Sequence, residues 1–401
     1  MTNPSAFPVR PLPEGRRVSP RLDTVAPFLA MDVLSQARTI ERAGGSIVHM
    51  ELGEPSAPTP HVVREAARRA LESERISYTE ASGQAALRSR IARHYRDAYG
   101  IDVDPGRVVV TTGSSAGFVL SFLTLFEPGA RIAVSSPGYP AYRNIFGALG
   151  LEAAPIPLHD GNSWTITAEA IERLHAEAPL AGVLLMSPAN PTGVTTARSV
   201  LEEVAATCRR LGIWLISDEI YHGLTFGVES ETALAFDDEA VIVNSFSKYY
   251  CMTGWRIGWL IVPERLARGV ERLAQNLYIS PPYLSQVAAA SAFDATEELE
   301  RIKAGYAANR DLLLNELPGI GLGKGPAPTG AFYLYLDVGH LTDNSLAFSR
   351  EILSRAGVAV TPGLDFDPEN GGTYIRLSFA GSFDDCREAV ERLRNFTATN
   401  R

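Results

Sequence analysis

Ser245-Phe-Ser-Lys-Tyr-Tyr-Cys-Met-Thr-Gly-Trp-Arg-Ile-Gly258 runs on from Val241-Ile-Val-Asn244, a short apolar run that reads as a buried strand. A lysine just beyond such a strand is poorly placed for full hydration. Burial and a nearby cation both lower its pKa and make its amine a usable nucleophile. Ser245, Ser247 and Arg256 flank Lys248 with two hydroxyls and a fixed guanidinium, a donor set that suits a bound phosphate. A lysine beside a phosphate site is what a pyridoxal phosphate Schiff base needs. The same letters also describe a surface lysine and arginine with serines in a loop, and this stretch alone leaves both readings open.

Two earlier runs end on residues of comparable chemistry. The strand expected over 180–187 leads into Ser187-Pro-Ala-Asn-Pro-Thr-Gly193, and Ile213-Trp-Leu-Ile-Ser217 leads into Asp218-Glu-Ile-Tyr221. Asn-Pro is an ordinary turn former, and Asp218 seen alone reads as a solvated loop acid. A carboxylate at a buried strand terminus is costly unless paired, and a protonated pyridine nitrogen is a natural partner. Asn190, Asp218 and Lys248 each end a hydrophobic strand, and strand ends on one edge of an open sheet converge on a common crevice. Arg107-Val-Val-Val-Thr-Thr112 is a further strand, followed by Gly113-Ser-Ser-Ala116 and an apolar helix to Phe126. Strand, glycine and helix start place free backbone N–H groups and the positive end of a helix toward an anion, and Ser114 and Ser115 add hydroxyl donors.

Ser-x-Ser-Lys followed by Gly-Trp-Arg-Ile-Gly resembles the lysine motif of class I/II aminotransferases, the aspartate aminotransferase-like branch of fold-type I pyridoxal phosphate enzymes. Asn190-Pro-Thr-Gly193 is a second motif of that family, and the motifs occur in family order from about Gly53 to about Phe379. The resemblance implies that Lys248 carries the internal aldimine and that Arg256 binds the cofactor phosphate with Gly113, Ser114, Ser115, Ser245 and Ser247. It implies that Asn190 and Tyr221 donate to the cofactor's phenolic oxygen, that Asp218 pairs with the pyridine nitrogen and that Tyr139 stacks on the ring. Arg376, within Tyr374-Ile-Arg-Leu-Ser378, matches the arginine that grips the substrate α-carboxylate, and Gly53 lies near that carboxylate. Tyr78, in Ser77-Tyr-Thr-Glu-Ala-Ser-Gly-Gln-Ala-Ala-Leu-Arg88, takes the place of a tyrosine that reaches the cofactor phosphate of a neighbouring subunit, so a homodimer is expected.

The fold implied is α/β: a large domain with a mostly parallel seven-stranded sheet flanked by helices, plus a smaller α/β domain. Residues 1–20 are Pro-rich and read as an N-terminal arm. The large pyridoxal phosphate domain is expected over 51–289, and the small domain from 21–50 together with 290–401. Helices are expected over 30–43, 61–72, 87–99, 167–178, 196–211, 263–275, 345–356 and 384–395, with a long, mainly helical connection over 284–316. Strands are expected over 47–52, 131–135, 150–155, 255–262, 331–336, 358–360 and 374–379.

Composition agrees with a soluble globular protein. The chain has 401 residues, 45% hydrophobic and 21% charged, with a formal net charge of −9, which speaks against a nucleic-acid surface. Cys208, Cys251 and Cys386 are too widely spaced to suggest a disulfide framework or a metal site and fit the cytoplasm. The arm lacks the apolar core of a signal peptide, and no apolar run approaches a membrane span. The reaction implied is ping-pong transamination between an L-amino acid and a 2-oxo acid. Ser114 is neutral, and Ala26-Pro-Phe-Leu-Ala-Met31 is apolar. Many members of the resembled family that accept aspartate carry a cation near the first of these places, and some carry small hydroxyl residues at the second, so the resemblance implies a neutral or hydrophobic donor, with 2-oxoglutarate or pyruvate as acceptor. A β-lyase or decarboxylase on the same fold shares these residues, and a non-catalytic pyridoxal phosphate sensor is the alternative of another class.

Overall fold

A computed structural model describes residues 18–73 and 75–399. Most of the expected N-terminal arm, residues 1–17, lies outside the described residues. Among the described residues, twelve strands form three sheets. In chain order they are β1 (Val48–His49), β2 (Val108–Thr111), β3 (Arg131–Ser136), β4 (Glu152–Pro157), β5 (Gly182–Met186), β6 (Trp214–Asp218), β7 (Val241–Ser245), β8 (Gly258–Ile261), β9 (Tyr333–Asp337), β10 (Val358–Ala359), β11 (Thr361–Pro362) and β12 (Tyr374–Ser378).

The central sheet has seven strands in the order β2-β8-β7-β6-β5-β3-β4. All neighbours are parallel except β8, which runs antiparallel to both β2 and β7. The inner strands are near-continuous apolar runs because both faces are covered, while edge strand β4 buries only Ala154 and Ile156. Alternation still sorts their side chains. Leu184, Ile216, Val243 and Leu260 join one core, while Val183, Leu185, Leu215, Ile242 and Trp259 join the other. Helices Ser114–Leu125 and Glu264–Leu277 pack together over the first face, and Ala85–Tyr99 and Tyr283–Ala292 over the second. The carboxyl ends of β5, β6 and β7 therefore open on one edge, beside the start of helix Ser114–Leu125.

The C-terminal part adds an antiparallel sheet, β11-β12-β9, and the parallel pair β1-β10. Helix Leu29–Arg42 packs near β10 and β11, and helix Phe383–Ala398 lies against Thr296–Glu316. Asp365 fixes the start of Leu29–Arg42: its carboxylate accepts from Leu29 N at 3.0 Å and Ala30 N at 3.2 Å. No helix among the described residues is long and apolar enough to cross a membrane.

Several expected boundaries shift for local reasons. The strand expected over 255–262 begins only at Gly258, because Thr253–Trp255 form a 3-10 turn and Arg256 adopts a left-handed φ of 50°. The strand expected over 150–155 starts at Glu152. Gly150, at φ 74°, instead caps a helix, Pro140–Leu149, that pattern reading passed over. The connection over 284–316 breaks into Tyr283–Ala292 and Thr296–Glu316. The strand expected over 47–52 pairs only at Val48 and His49. The helix expected over 345–356 is α-helical for Ser345–Glu351 and closes with a π turn.

Candidate active site

Lys248 follows the end of β7 by three residues and stands in a cavity of about 430 Å³. Its walls include Gly53, Ser114, Ser115, Tyr139, Asn190, Asp218, Tyr221, Ser247, Arg256 and Arg376. Twelve of the fourteen residues expected at the site either line this space or, as Gly113 does, shape it directly. The Lys248 Nζ donates to the carbonyl of Gly53. Burial, then the positive charge of Arg376, brings its pKa down to about 8. The amine is thus a far better nucleophile and base near neutrality than an exposed lysine.

Gly113 ends the β2 turn at φ 83° and precedes helix Ser114–Leu125 as a cap without a side chain. A Cβ there would meet Arg256 Nη2 at 2.4 Å, so the glycine is what allows the guanidinium to lie over the helix start. Arg256 Nη1 is braced by the Thr253 carbonyl at 3.0 Å. A cation, a helix N-terminus and the hydroxyls of Ser114, Ser115 and Ser247 together suit a phosphate dianion.

Ser245, expected among the phosphate donors, is buried and is not part of the cavity lining. Its hydroxyl is buried behind the cavity wall, 2.9 Å from both Ser247 Oγ and the Ile257 carbonyl, and it accepts from Ser247 N at 3.1 Å. These bonds hold Ser247, which does line the cavity, in place. Tyr78 is 79% exposed and lies off the cavity wall; its expected role concerns a second subunit.

Asp218, the last residue of β6, is buried, and burial lifts its pKa to about 6. Two donors oppose that shift: the hydroxyl of Tyr142, and the backbone N–H of Ile220 at 3.1 Å. Tyr142 was not singled out from the sequence, because it belongs to helix Pro140–Leu149 and meets Asp218 only in the fold. A buried carboxylate held by neutral donors is prepared to accept a cation such as a pyridinium.

Asn190 Oδ1 accepts from Arg376 Nη1 at 3.1 Å, which leaves its amide nitrogen as the donor expected of it. Tyr221 Oη lies 2.6 Å from Tyr333 Oη, a partner that sequence reading did not anticipate. Tyr333 also covers Arg376: the guanidinium sits 4.4 Å from the Tyr333 ring and 4.7 Å from the Phe366 ring. Arg376 is buried on β12 opposite Tyr335 and Thr361. Its Nη2 donates to the Glu51 carbonyl and to Thr361 Oγ1 at 3.2 Å, while its buried Nε has no partner among the described residues. This immobilised fork is the geometry for a carboxylate. The wall also includes Phe28, Ala30 and Met31 from the apolar segment read for the donor, and Leu34, Arg38, Leu52 and Glu54, to which the sequence reading gave no role in the site.

The family model described as aminotransferase class I and II matches residues 46–393. The chain belongs to this family. It is 46% identical over 373 residues to a valine–pyruvate aminotransferase of Mycobacterium tuberculosis, covering 92% of this chain and 96% of that protein. The crystal structure of an aminotransferase from Mycobacterium tuberculosis superposes with a TM-score of 0.93 at 45% identity, covering 96% of this chain and all of the other. The aspartate aminotransferase of Thermus thermophilus, solved with maleate, gives a TM-score of 0.89 at 30% identity over 95% and 99% of the two chains. This aminotransferase therefore has the expected fold-type I architecture and moves an amino group between an amino acid and a 2-oxo acid.

Proposed function

We propose that the enzyme uses pyridoxal phosphate to transfer the amino group of a neutral or hydrophobic L-amino acid to a 2-oxo acid by a ping-pong cycle. The observation that carries this reading is the placement of Lys248, its pKa lowered to about 8, in one cavity with the Asp218 carboxylate and the Arg256 phosphate cradle. Gly113, Ser114, Ser115, Ser247 and Arg256 would hold the phosphate. Asp218 would hold the pyridine nitrogen, Asn190 and Tyr221 the phenolic oxygen, and Tyr139 a ring face. When bound, the cofactor supplies an electron sink for the bond broken at the substrate α-carbon.

The chain's own residues do the rest. Lys248 would be the cofactor's attachment point, and its amine would serve as the base that takes the α-proton. Asp218 keeps a positive charge stable in a buried place. Arg376, clamped between two aromatic rings and the Glu51 carbonyl, fixes the α-carboxylate so that the reacting bond keeps its orientation. The neutral donor is supported by the apolar wall of Phe28, Ala30, Met31, Leu34 and Leu52, and by the valine–pyruvate relative.

A homodimer is part of the proposal. It is supported by exposed Tyr78 next to exposed Ile76, with Thr79 N bonded to Ser280 Oγ at 3.3 Å beside exposed Ile279. We also retain the division into a large domain, 51–289, and a small one, 21–50 with 290–401. The helix break between Ala292 and Thr296 lies a few residues past the 289/290 boundary. Three free, buried cysteines accord with a cytoplasmic location.

The test is the absorption spectrum of the purified protein with pyridoxal phosphate, before and after single amino acids are added without a 2-oxo acid. Conversion of the cofactor band by valine, leucine or alanine is expected. A preference for aspartate over these would overturn the donor class, and a band unmoved by every amino acid would overturn transamination.

A further inference from the structure

Four cations line the cavity: Arg38, Lys248, Arg256 and Arg376. In the proposed reaction three have an anion or a chemical task, and each of these is held by the protein. Lys248 donates to the Gly53 carbonyl, Arg256 to the Thr253 carbonyl, and Arg376 to Asn190, Glu51 and Thr361. Arg38 differs. It is exposed at the wall and has no hydrogen bond or ion pair among the described residues. The two carboxylates that line the same space are engaged elsewhere. Glu54 Oε1 accepts from Thr253 Oγ1 at 2.6 Å, and Asp218 accepts from Tyr142 and Ile220.

The position of Arg38 is fixed by its helix. Ala30, Leu34 and Arg38 are spaced at i, i+4 and i+8 on Leu29–Arg42, so they form one row along the cavity wall. At about 1.5 Å rise per residue the row spans roughly 12 Å. It begins apolar beside Phe28, where Asp365 anchors the helix, and ends on the guanidinium. A substrate lying along this row meets methyl and methylene groups first and a free cation last.

We propose that Arg38 binds the distal carboxylate of a dicarboxylic 2-oxo acid of the 2-oxoglutarate type, and so lets one cavity serve a neutral donor and an acidic acceptor. This rests on the aminotransferase reading above and deepens it. With a neutral donor, the guanidinium stays in water while its methylene stem prolongs the apolar wall. With the diacid, Arg376 takes the α-carboxylate and Arg38 the distal one, by charge-assisted hydrogen bonds.

The test compares the wild-type holoenzyme with Arg38→Gln and Arg38→Lys. Each is first converted to its amine form by valine, a step that checks the underlying reading by itself. Each is then mixed with 2-oxoglutarate or with pyruvate. The expected result is a fall of about 10- to 100-fold in the kcat/KM ratio of 2-oxoglutarate to pyruvate in Arg38→Gln, carried mainly by KM. Arg38→Lys should recover part of it. Calorimetric titration of the holoenzyme with glutarate reads the same contact without turnover and should weaken in proportion. A ratio within about twofold of wild type, an equal loss for both acceptors, or glutarate affinity indifferent to Arg38 would overturn the proposal.

Discussion

Gly53→Ala should disable the enzyme while leaving it folded. A Cβ on residue 53 would fall 1.8 Å from Tyr333 Oη and 2.8 Å from its Cζ. Reaching the 3.4 Å of ordinary contact requires the hydroxyl to retreat by about 1.6 Å. That hydroxyl is 2.6 Å from Tyr221 Oη, and the ring behind it packs on the Arg376 guanidinium at 4.4 Å. The Gly53 carbonyl is also the acceptor for Lys248 Nζ. One methyl group thus disturbs the Tyr221 hydroxyl, the Arg376 clamp and the lysine anchor together. Overpacking of this kind costs about 1–3 kcal/mol of stability. Displacing a positioned group by about 1 Å costs on the order of 100-fold in rate. Thermal unfolding and steady-state kinetics with valine and pyruvate should therefore give a modest fall in Tm and a loss of about 100-fold in kcat/KM. A variant within about threefold of wild type in kcat/KM would refute the claim that Gly53 is constrained by Tyr333.

Three other outcomes are expected. Gly113→Ala combines a left-handed φ of 83° with a methyl group 2.4 Å from Arg256 Nη2; pyridoxal phosphate retention measured by equilibrium dialysis should weaken about tenfold or more, and a change under twofold would sink the cradle argument. Lys248 is cationic below its pKa of about 8, so attachment of pyridoxal phosphate to the cofactor-free protein should accelerate with pH up to about 8 and level off above it. Stopped-flow absorbance that keeps rising to pH 10 would contradict the buried amine. Tyr142→Phe removes a donor that lowers the Asp218 pKa, so that pKa should climb above about 6 and carry the acid limb of the pH–kcat profile upward, with kcat down about tenfold. An unmoved acid limb would show that Tyr142 does not govern Asp218.

The legible part of the site consists of residues that local sequence places at strand ends. Asn190, Asp218 and Lys248 follow apolar runs whose length and content mark buried strands, and parallel strands bring such ends to one edge. Gly113 with Ser114 and Ser115 was legible for a related reason, since a glycine between strand and helix announces an anion site. Other features depend on contacts that the local pattern does not carry. Ser245, expected at the phosphate from its place beside Lys248, has its hydroxyl bonded to Ser247 and the Ile257 carbonyl. Arg256 looked like part of a strand, yet its backbone turns at φ 50° and its guanidinium lies over Gly113.

By itself the sequence determined the alternation of strands and helices, the order of the motifs and the chemical type of nearly every cavity group. Those properties depend on short-range polarity and backbone preference, which a few neighbouring residues set. Only the tertiary structure decided which groups hold one another: Tyr142 on Asp218, Tyr333 on Tyr221, the Glu51 carbonyl on Arg376, and Asp365 on the start of Leu29–Arg42. These pairs lie 76 to 336 residues apart in the chain. Their energies come from burial and directional hydrogen bonds that exist only once both cores have closed around the sheet, so no local pattern encodes them.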